Sequence, residues 1–349
     1  MIDQLFGLIS HDLGIDLGTA NTLVLVRGKG IVIREPTVVV QHKKTKQILA
    51  IGDEAKKMIG KTPASIVAIR PLRDGVISDF EVTQAILSYF IHKVHEAPSG
   101  FFPTIPRPRV VIGIPSGVTE VERKAVADAA QEAGARSAIL IEEPMAAAIG
   151  AGLPVEEAIG SFIIDIGGGT TEIAVISLGG IVVGKSIRIA GDEMDEAITA
   201  YVRFRYGMLI GERTAENAKL IAGSAYPDSQ EVETVIRGRD LETGLPKSVK
   251  VTSAEIREAI ATPLNQVLTA VSQTIEDTPP ELLSDIVERG IVIAGGGAKL
   301  PGIAKLVAVE TKLPVYVADD PQTAVVRGCV AVFDNFGLLE KVKVAQIHL

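Results

Sequence analysis

One pattern occurs twice in this chain. Near the start it reads Gly14-Ile15-Asp16-Leu17-Gly18-Thr19-Ala20-Asn21-Thr22-Leu23-Val24, and later Ile164-Asp165-Ile166-Gly167-Gly168-Gly169-Thr170-Thr171-Glu172-Ile173-Ala174-Val175. Each copy is an apolar strand, an Asp, a Gly/Thr turn and a second apolar strand, which is the pattern of a β-hairpin and not of a strand-turn-helix unit. The two Asp residues are 165 − 16 = 149 positions apart, close to half of the 349 residues. A repeat at that spacing predicts a duplicated lobe, with one hairpin in each half and two similar domains facing each other across a cleft.

The rest of the chain fits that division. Short β-rich apolar runs (Leu23–Val26, Val110–Ile114, Ser161–Ile164, Ile173–Ile176 and Gly290–Ile293) alternate with helical stretches such as Glu120–Ala133, Thr252–Ile275 and Ile303–Thr311. Strands interleaved with helices read as an α/β fold with mixed or parallel sheets. Hydrophobic residues at 47% and charged residues at 22% supply a substantial core and exclude wholesale disorder. A net charge of −8, 4% aromatics and no Trp argue against a nucleic-acid partner, which would need a basic footprint and stacking surfaces. The single cysteine, Cys329, lies in an apolar run and reads as a buried small hydrophobe; no intramolecular disulfide or Cys/His zinc cluster is available to it. No apolar run reaches the roughly 18 residues that span a bilayer, and no signal peptide is visible, so the expected placement is cytosolic or peripheral on a membrane.

Three sites follow from residue chemistry. A Gly/Thr hairpin tip exposes backbone N–H groups and hydroxyls without Cβ obstruction, so phosphate oxygens can approach it. Asp16 and Asp165, one from each lobe, would then flank a hydrated Mg²⁺, an ion that keeps several waters and bridges phosphates. After a strand at Ala138–Ile141 comes Glu142-Glu143-Pro144-Met145-Ala146-Ala147-Ala148. Its Pro suits a first helical turn and its Ala run suits close packing. The carboxylates either complement the helix dipole or orient a water for phosphoanhydride hydrolysis, with Glu143 preferred over Glu142 because it abuts the helix start. Last, the strand at Ile291–Ala294 ends in Gly295-Gly296-Gly297-Ala298-Lys299, a turn with room for a flat ligand that fits neither the Rossmann nor the P-loop spacing.

Together these segments resemble the actin/sugar-kinase/heat-shock-chaperone ATPase superfamily, and within it the MreB family of bacterial actins. GIDLGTANTL, REPTVV, VVIGIPSGVTEVERKA, IEEPMAAAIGAG, DIGGGTTEIAVISLGGIV, RGIVIAGGGAKLPGI and DDPQTAVVRG carry the likeness from Gly14 to about Gly328. The resemblance implies an actin-like, ribonuclease H-like duplicated fold. Its two lobes of two subdomains each surround a nucleotide cleft: residues 1–39, 74–157 and 325–349 (IA), 40–73 (IB), 158–190 and 252–324 (IIA), and 191–251 (IIB). It implies ATP or ADP with Mg²⁺ as ligands. Gly18, Thr19, Ala20 and Asn21 match the first phosphate loop, and Gly167, Gly168, Gly169 and Thr170 the second. Asp16 and Asp165 match the metal-side carboxylates, and Glu143, flanked by Glu142, the water-positioning group. Glu216, Asn217 and Lys219 match the segment that brackets ribose and base, and Gly295, Gly296, Gly297 and Ala298 the adenosine turn. On physics alone Glu216 and Lys219 read as an i,i+3 surface pair. The segment NAKLIAG is less charged than the family's usual one.

The implied role is a slow ATPase that forms filaments, as pairs of antiparallel strands, on the inner face of the cytoplasmic membrane. These would hold a rod shape with transmembrane morphogenesis proteins and the peptidoglycan-synthesis machinery. Two segments suit the membrane. Ile2, Leu5, Phe6 and Ile9 share one helical face, which would lie in a bilayer interface or else be a tail or strand extension. Phe101 and Phe102 sit in a Gly/Pro loop that the family resembles as an apolar insertion, with Arg107 and Arg109 near enough for head groups; the alternative is Phe residues tucked under the loop. A chaperone would carry a peptide-binding domain after the ATPase motifs, whereas this sequence stops at Leu349. A sugar kinase would need an acceptor-site base, for which no candidate stands out.

Overall fold

The computed structural model of the protein describes residues 10–73, 75–96, 107–227 and 231–348. The candidate membrane residues Ile2, Leu5, Phe6, Ile9, Phe101 and Phe102 lie outside the described residues. Two large sheets repeat one plan. In the first, β1 (Leu13–Leu17), β2 (Asn21–Val26) and β3 (Gly30–Pro36) form an antiparallel meander. On the other side of β1, β9 (Arg109–Ile114) and β10 (Ser137–Glu142) add in parallel, and β19 (Lys343–His348) closes the edge antiparallel to β10. In the second, β11 (Ser161–Ile166), β12 (Thr171–Ser177) and β13 (Gly180–Ile187) form the meander, and β17 (Ile291–Ala294) and β18 (Val315–Val317) add in parallel to β11. β11 and β12 are buried at every position, as expected of strands covered on both faces.

Smaller sheets stand beside the large ones. One has the order β5 (Ile48–Ile51), β4 (Val39–His42), β6 (Ile66–Ile69); another has the order β14 (Met208–Leu209), β15 (Glu233–Asp240), β16 (Pro246–Thr252); β7 (Leu72–Arg73) and β8 (Val76–Ile77) pair by themselves. The helices begin where the sequence offers caps. Glu120–Glu132 starts behind Thr119, whose hydroxyl accepts from Glu122 N at 3.3 Å while Glu122 accepts from Thr119 N at 2.6 Å. Ser253–Glu276 starts the same way behind Thr252 and Glu255. The expected Thr252 and Ala133 ends are therefore caps. Gly290, expected in a strand, precedes it at φ 81°, where a side chain would meet Pro314 O.

Three large apolar clusters follow this plan, one beside each large sheet and a third between them. The third gathers Val111, Ile139 and Ile141 of the first sheet and Ile163, Ala174 and Ile176 of the second around the helices Glu143–Gly150 and Ala324–Ala331. Those two helices touch backbone to backbone: a Cβ at Gly328 would lie 1.9 Å from Ala146 O, and one at Gly150 1.8 Å from Ala324 O. Cys329 is buried in this cluster, as expected. Among the described residues no helix is long and apolar enough to cross a membrane.

Candidate functional site: a carboxylate pocket beneath two hairpin tips

The repeat places its two Asp residues in matching register. Asp16 stands opposite Leu23 of β2 and beside Gly113 of β9. Asp165 stands opposite Glu172 of β12 and beside Ala294 of β17. Both hairpins turn through four residues, between the pairs Leu17↔Thr22 and Ile166↔Thr171. The tips meet. A Cβ at Gly168 would lie 2.6 Å from Ala20 Cβ, and one at Gly169 2.8 Å from Thr19 Oγ1, so glycine there is demanded by the opposite lobe's approach. Protein donors take the tip carbonyls: Thr37 Oγ1 donates to Gly18 O at 2.6 Å, Thr37 N to Ala20 O at 3.0 Å, Gly191 N to Gly167 O at 3.3 Å, and Asp192 N to Gly168 O at 2.8 Å. With their acceptors satisfied, the tips are left to meet a ligand with donors.

Under the tips lie acids. Glu143, the first residue of its helix, is 9% exposed, Asp165 6% and Glu172 1%. Gly113 makes room for Glu143, whose Cγ would stand 3.4 Å from a Cβ at that position. Burial raises the proton affinity of Glu143 well above the carboxylate range, and the charges of Glu172, Asp16 and Asp165 add to the effect. Burial does the same to Asp165, with Asp16 and Glu172 adding. Asp16 retains some accessible surface, yet burial pushes it up to about 7. Glu142, half-buried as the helix N-cap residue, is raised by burial against the opposing charge of Arg123. Such a cluster favours entry of a cation. Among the described residues no three acidic, thiol or imidazole groups converge as a direct metal cage.

The glycine turn joins the same pocket. Gly295 has φ 82°, and a Cβ on it would stand 2.3 Å from Asp165 Oδ1; one on Gly297 would press on Ile166. Gly296 to Lys299 form a short 3₁₀ turn, with Ala298 buried. Glu216 and Lys219 do not pair with each other as read from their spacing: Glu216 meets Lys56 Nζ at 2.8 Å, and Lys219 Nζ binds Asp195 at 2.9 Å and Gly191 O at 2.6 Å. Lys219 thereby abuts the second tip, whereas Asn217 is exposed. A cleft of about 980 Å³ opens alongside; its wall includes Thr19, Arg70, Asp192 and Glu212 but none of Asp16, Glu143, Asp165 and Glu172. Arg70 spans it to Asp192, at 3.2 Å, and to Glu212. Arg109, offered above for head groups, instead grips Asp12 at 2.9 and 2.5 Å and covers the Phe333 ring. Sequence reasoning missed Glu172, although an acid opening the unbroken apolar run of β12 is a legible signal. It also missed Arg70 and Lys56, whose partners lie 122 to 160 positions away.

Residues 10–341 match the model of the MreB/Mbl protein family. The chain belongs to the MreB/Mbl family. It is 53% identical over 332 residues to the cell shape-determining protein MreB of Escherichia coli K12, covering 94% of each chain. It is 47% identical over 338 residues to the cell shape-determining protein Mbl of Bacillus subtilis 168, covering 97% of this chain and all of that one. Among solved structures it resembles MreB5 of Spiroplasma citri bound to ADP, with TM-score 0.88, 39% identity, and 95% and 98% of the two chains covered. A MamK double helical filament, 22% identical, shares the fold at TM-score 0.77 over 93% of this chain and 99% of that one. The resemblance to MreB and the actin-like two-lobed fold are thus borne out.

Proposed function

We propose that this MreB/Mbl protein binds ATP and ADP with Mg²⁺ in the cleft, hydrolyses ATP slowly, and polymerises into membrane-bound filaments. These filaments organise peptidoglycan synthesis and so set cell shape. The observation that carries the reading is the meeting of two glycine hairpin tips above buried acids from both lobes. Polyphosphate needs donors without side-chain obstruction, and its charge can share that pocket with carboxylates only when a cation accompanies it. Gly18–Asn21 and Gly167–Thr170 would hold the phosphates; Asp16 and Asp165 would hold Mg²⁺ through water; Gly295–Ala298 with Glu216, Asn217 and Lys219 would hold the nucleoside. The bound ion would neutralise phosphate charge. Glu143, ionised once the cation offsets the neighbouring carboxylate charges, would orient the attacking water and, because burial raises its proton affinity, take up the proton that the water releases.

Two observations on relatives support this reading. MreB5 of Spiroplasma citri has been solved with ADP and with AMPPNP, and the curated relatives are named for determining cell shape. The outer subdomains would be residues 40–73 and 191–251. Assembly as antiparallel double strands, peripheral placement on the inner membrane face, and partnership with transmembrane morphogenesis and wall-synthesis proteins extend the family likeness. The test is co-sedimentation with anionic liposomes under ATP, ADP or no nucleotide, with electron microscopy of the pellets. Nucleotide-dependent filaments on lipid are expected, and they should leave the lipid when residues 1–9 are deleted or Phe101 and Phe102 become Ser. A protein that binds ATP yet stays monomeric and off lipid overturns the filament reading.

A further inference from the structure

Glu172 is the most deeply buried acid of the pocket, at 1% exposed; burial raises its proton affinity, and neutral hydrogen-bond donors oppose that rise. Its Oε2 accepts from Ser116 N at 3.2 Å, and its Oε1 accepts from Ser186 Oγ at 2.6 Å. Ser186 belongs to β13, in the same sheet as Glu172. Ser116 belongs to the other lobe, two residues beyond the end of β9. The lobes are close here: a Cβ at Gly117 would lie 3.6 Å from Ser186 Cβ. The neighbouring Pro115 supports Gly75, which in turn faces Thr170 of the second tip. The Ser116 hydroxyl is buried beside the same carboxylate and, with the Ser116 amide, helps to lower its proton affinity.

An unpaired buried carboxylate is costly, and a neutral or apolar residue would hold the sheet at less expense. We propose that Glu172 is a positioning residue for ATP hydrolysis, clamping the Pro115–Gly117 loop of the first lobe to the sheet of the second. Its register partner is Asp165, and Glu143 follows directly on the end of β10, which pairs with β9. A shift of the loop therefore moves the Glu143 side of the pocket relative to the Asp165 side. Displacements of about 1 Å can lower turnover by as much as roughly 100-fold. The inference rests on the ATPase reading for its functional half, but the clamp is a property of the protein alone.

Three variants separate these elements. Glu172→Gln keeps both bonds, since its carbonyl accepts from Ser116 N and its amide donates to Ser186 Oγ. Glu172→Ala removes both, and Ser186→Ala removes one. Hydrogen exchange of the Ser116 amide, followed without nucleotide, should be slow in the wild type and in Glu172→Gln and faster by about tenfold in Glu172→Ala. Phosphate release from Mg·ATP should fall about tenfold or more in kcat for Glu172→Ala, with KM within about twofold, and Glu172→Gln should restore it to within about threefold. Unchanged Ser116 exchange in Glu172→Ala overturns the clamp. Faster exchange with unaltered kcat overturns the positioning role. A wild type that releases no phosphate while its Ser116 amide behaves as stated overturns the ATPase reading and confines Glu172 to coupling the lobes.

Discussion

At the scale of single residues, the pocket is poised by burial. Asp16 ordinarily releases its proton near 3.8 but here keeps it until about 7. Between those values the folded chain binds more protons at this site than the unfolded chain. The site's contribution to stability is therefore largest below about pH 4 and is lost as pH rises to about 7. Thermal unfolding without nucleotide or metal should show that decline, and Asp16→Asn should flatten it and raise the melting temperature at neutral pH. The same variant should abolish ATP turnover; unimpaired phosphate release would remove Asp16 from the site. Glu143→Ala should lower phosphate release by about 100-fold or more while leaving nucleotide affinity nearly unchanged, as expected for a group that acts on the water. Equal losses in binding and turnover would instead make Glu143 a structural acid.

Among the elements, the helices Glu143–Gly150 and Ala324–Ala331 are the most exacting contact. Ala146, Ala147, Ala148, Gly150 and Gly328 let two backbones touch, and the atoms they would strike are carbonyls, which cannot swing aside as a side chain can. Gly328→Val should destabilise the protein by about 3 kcal/mol or more, beyond the usual range for overpacking a core, measured by urea unfolding. A loss under about 1 kcal/mol would mean that the helices slide apart at little cost. Across the mouth the contacts are of another kind. Lys56–Glu216 and Arg70–Asp192 are roughly one-third exposed ion pairs. Pairs of that type contribute about 1 kcal/mol or less, so this side of the cleft can open while the helix pair holds.

For the molecule as a whole, the balance of charge makes nucleotide binding depend on the metal. Asp16, Glu143, Asp165 and Glu172 bring no positive charge to a polyphosphate and repel it when ionised, so ATP with Mg²⁺ should raise the melting temperature and ATP with a chelator should raise it far less. A ligand at 100 times its dissociation constant stabilises by about 2.7 kcal/mol. Equal shifts with and without the metal would show that the carboxylates are not part of the nucleotide site.

Much of this protein is legible in its sequence because the informative features are local. Two hairpins 149 positions apart, with Asp before each turn, follow from strand and turn chemistry acting over about a dozen residues, and they imply the duplicated lobes. The caps Thr119 and Thr252, the tight Ala-rich helix and buried Cys329 are local in the same sense. Tertiary structure alone decided which distant groups face one another. No spacing rule brings Glu172 to Ser116, separates Glu216 from Lys219 to pair it with Lys56, or turns Arg109 to Asp12. The third pairing depends on that of β9 with β1, 97 positions apart, and the first two on how the two lobes lie relative to each other, which is set by packing summed over the whole chain. The proton affinities depend on it too, because desolvation is a property of what surrounds a residue in space and not of its neighbours along the chain.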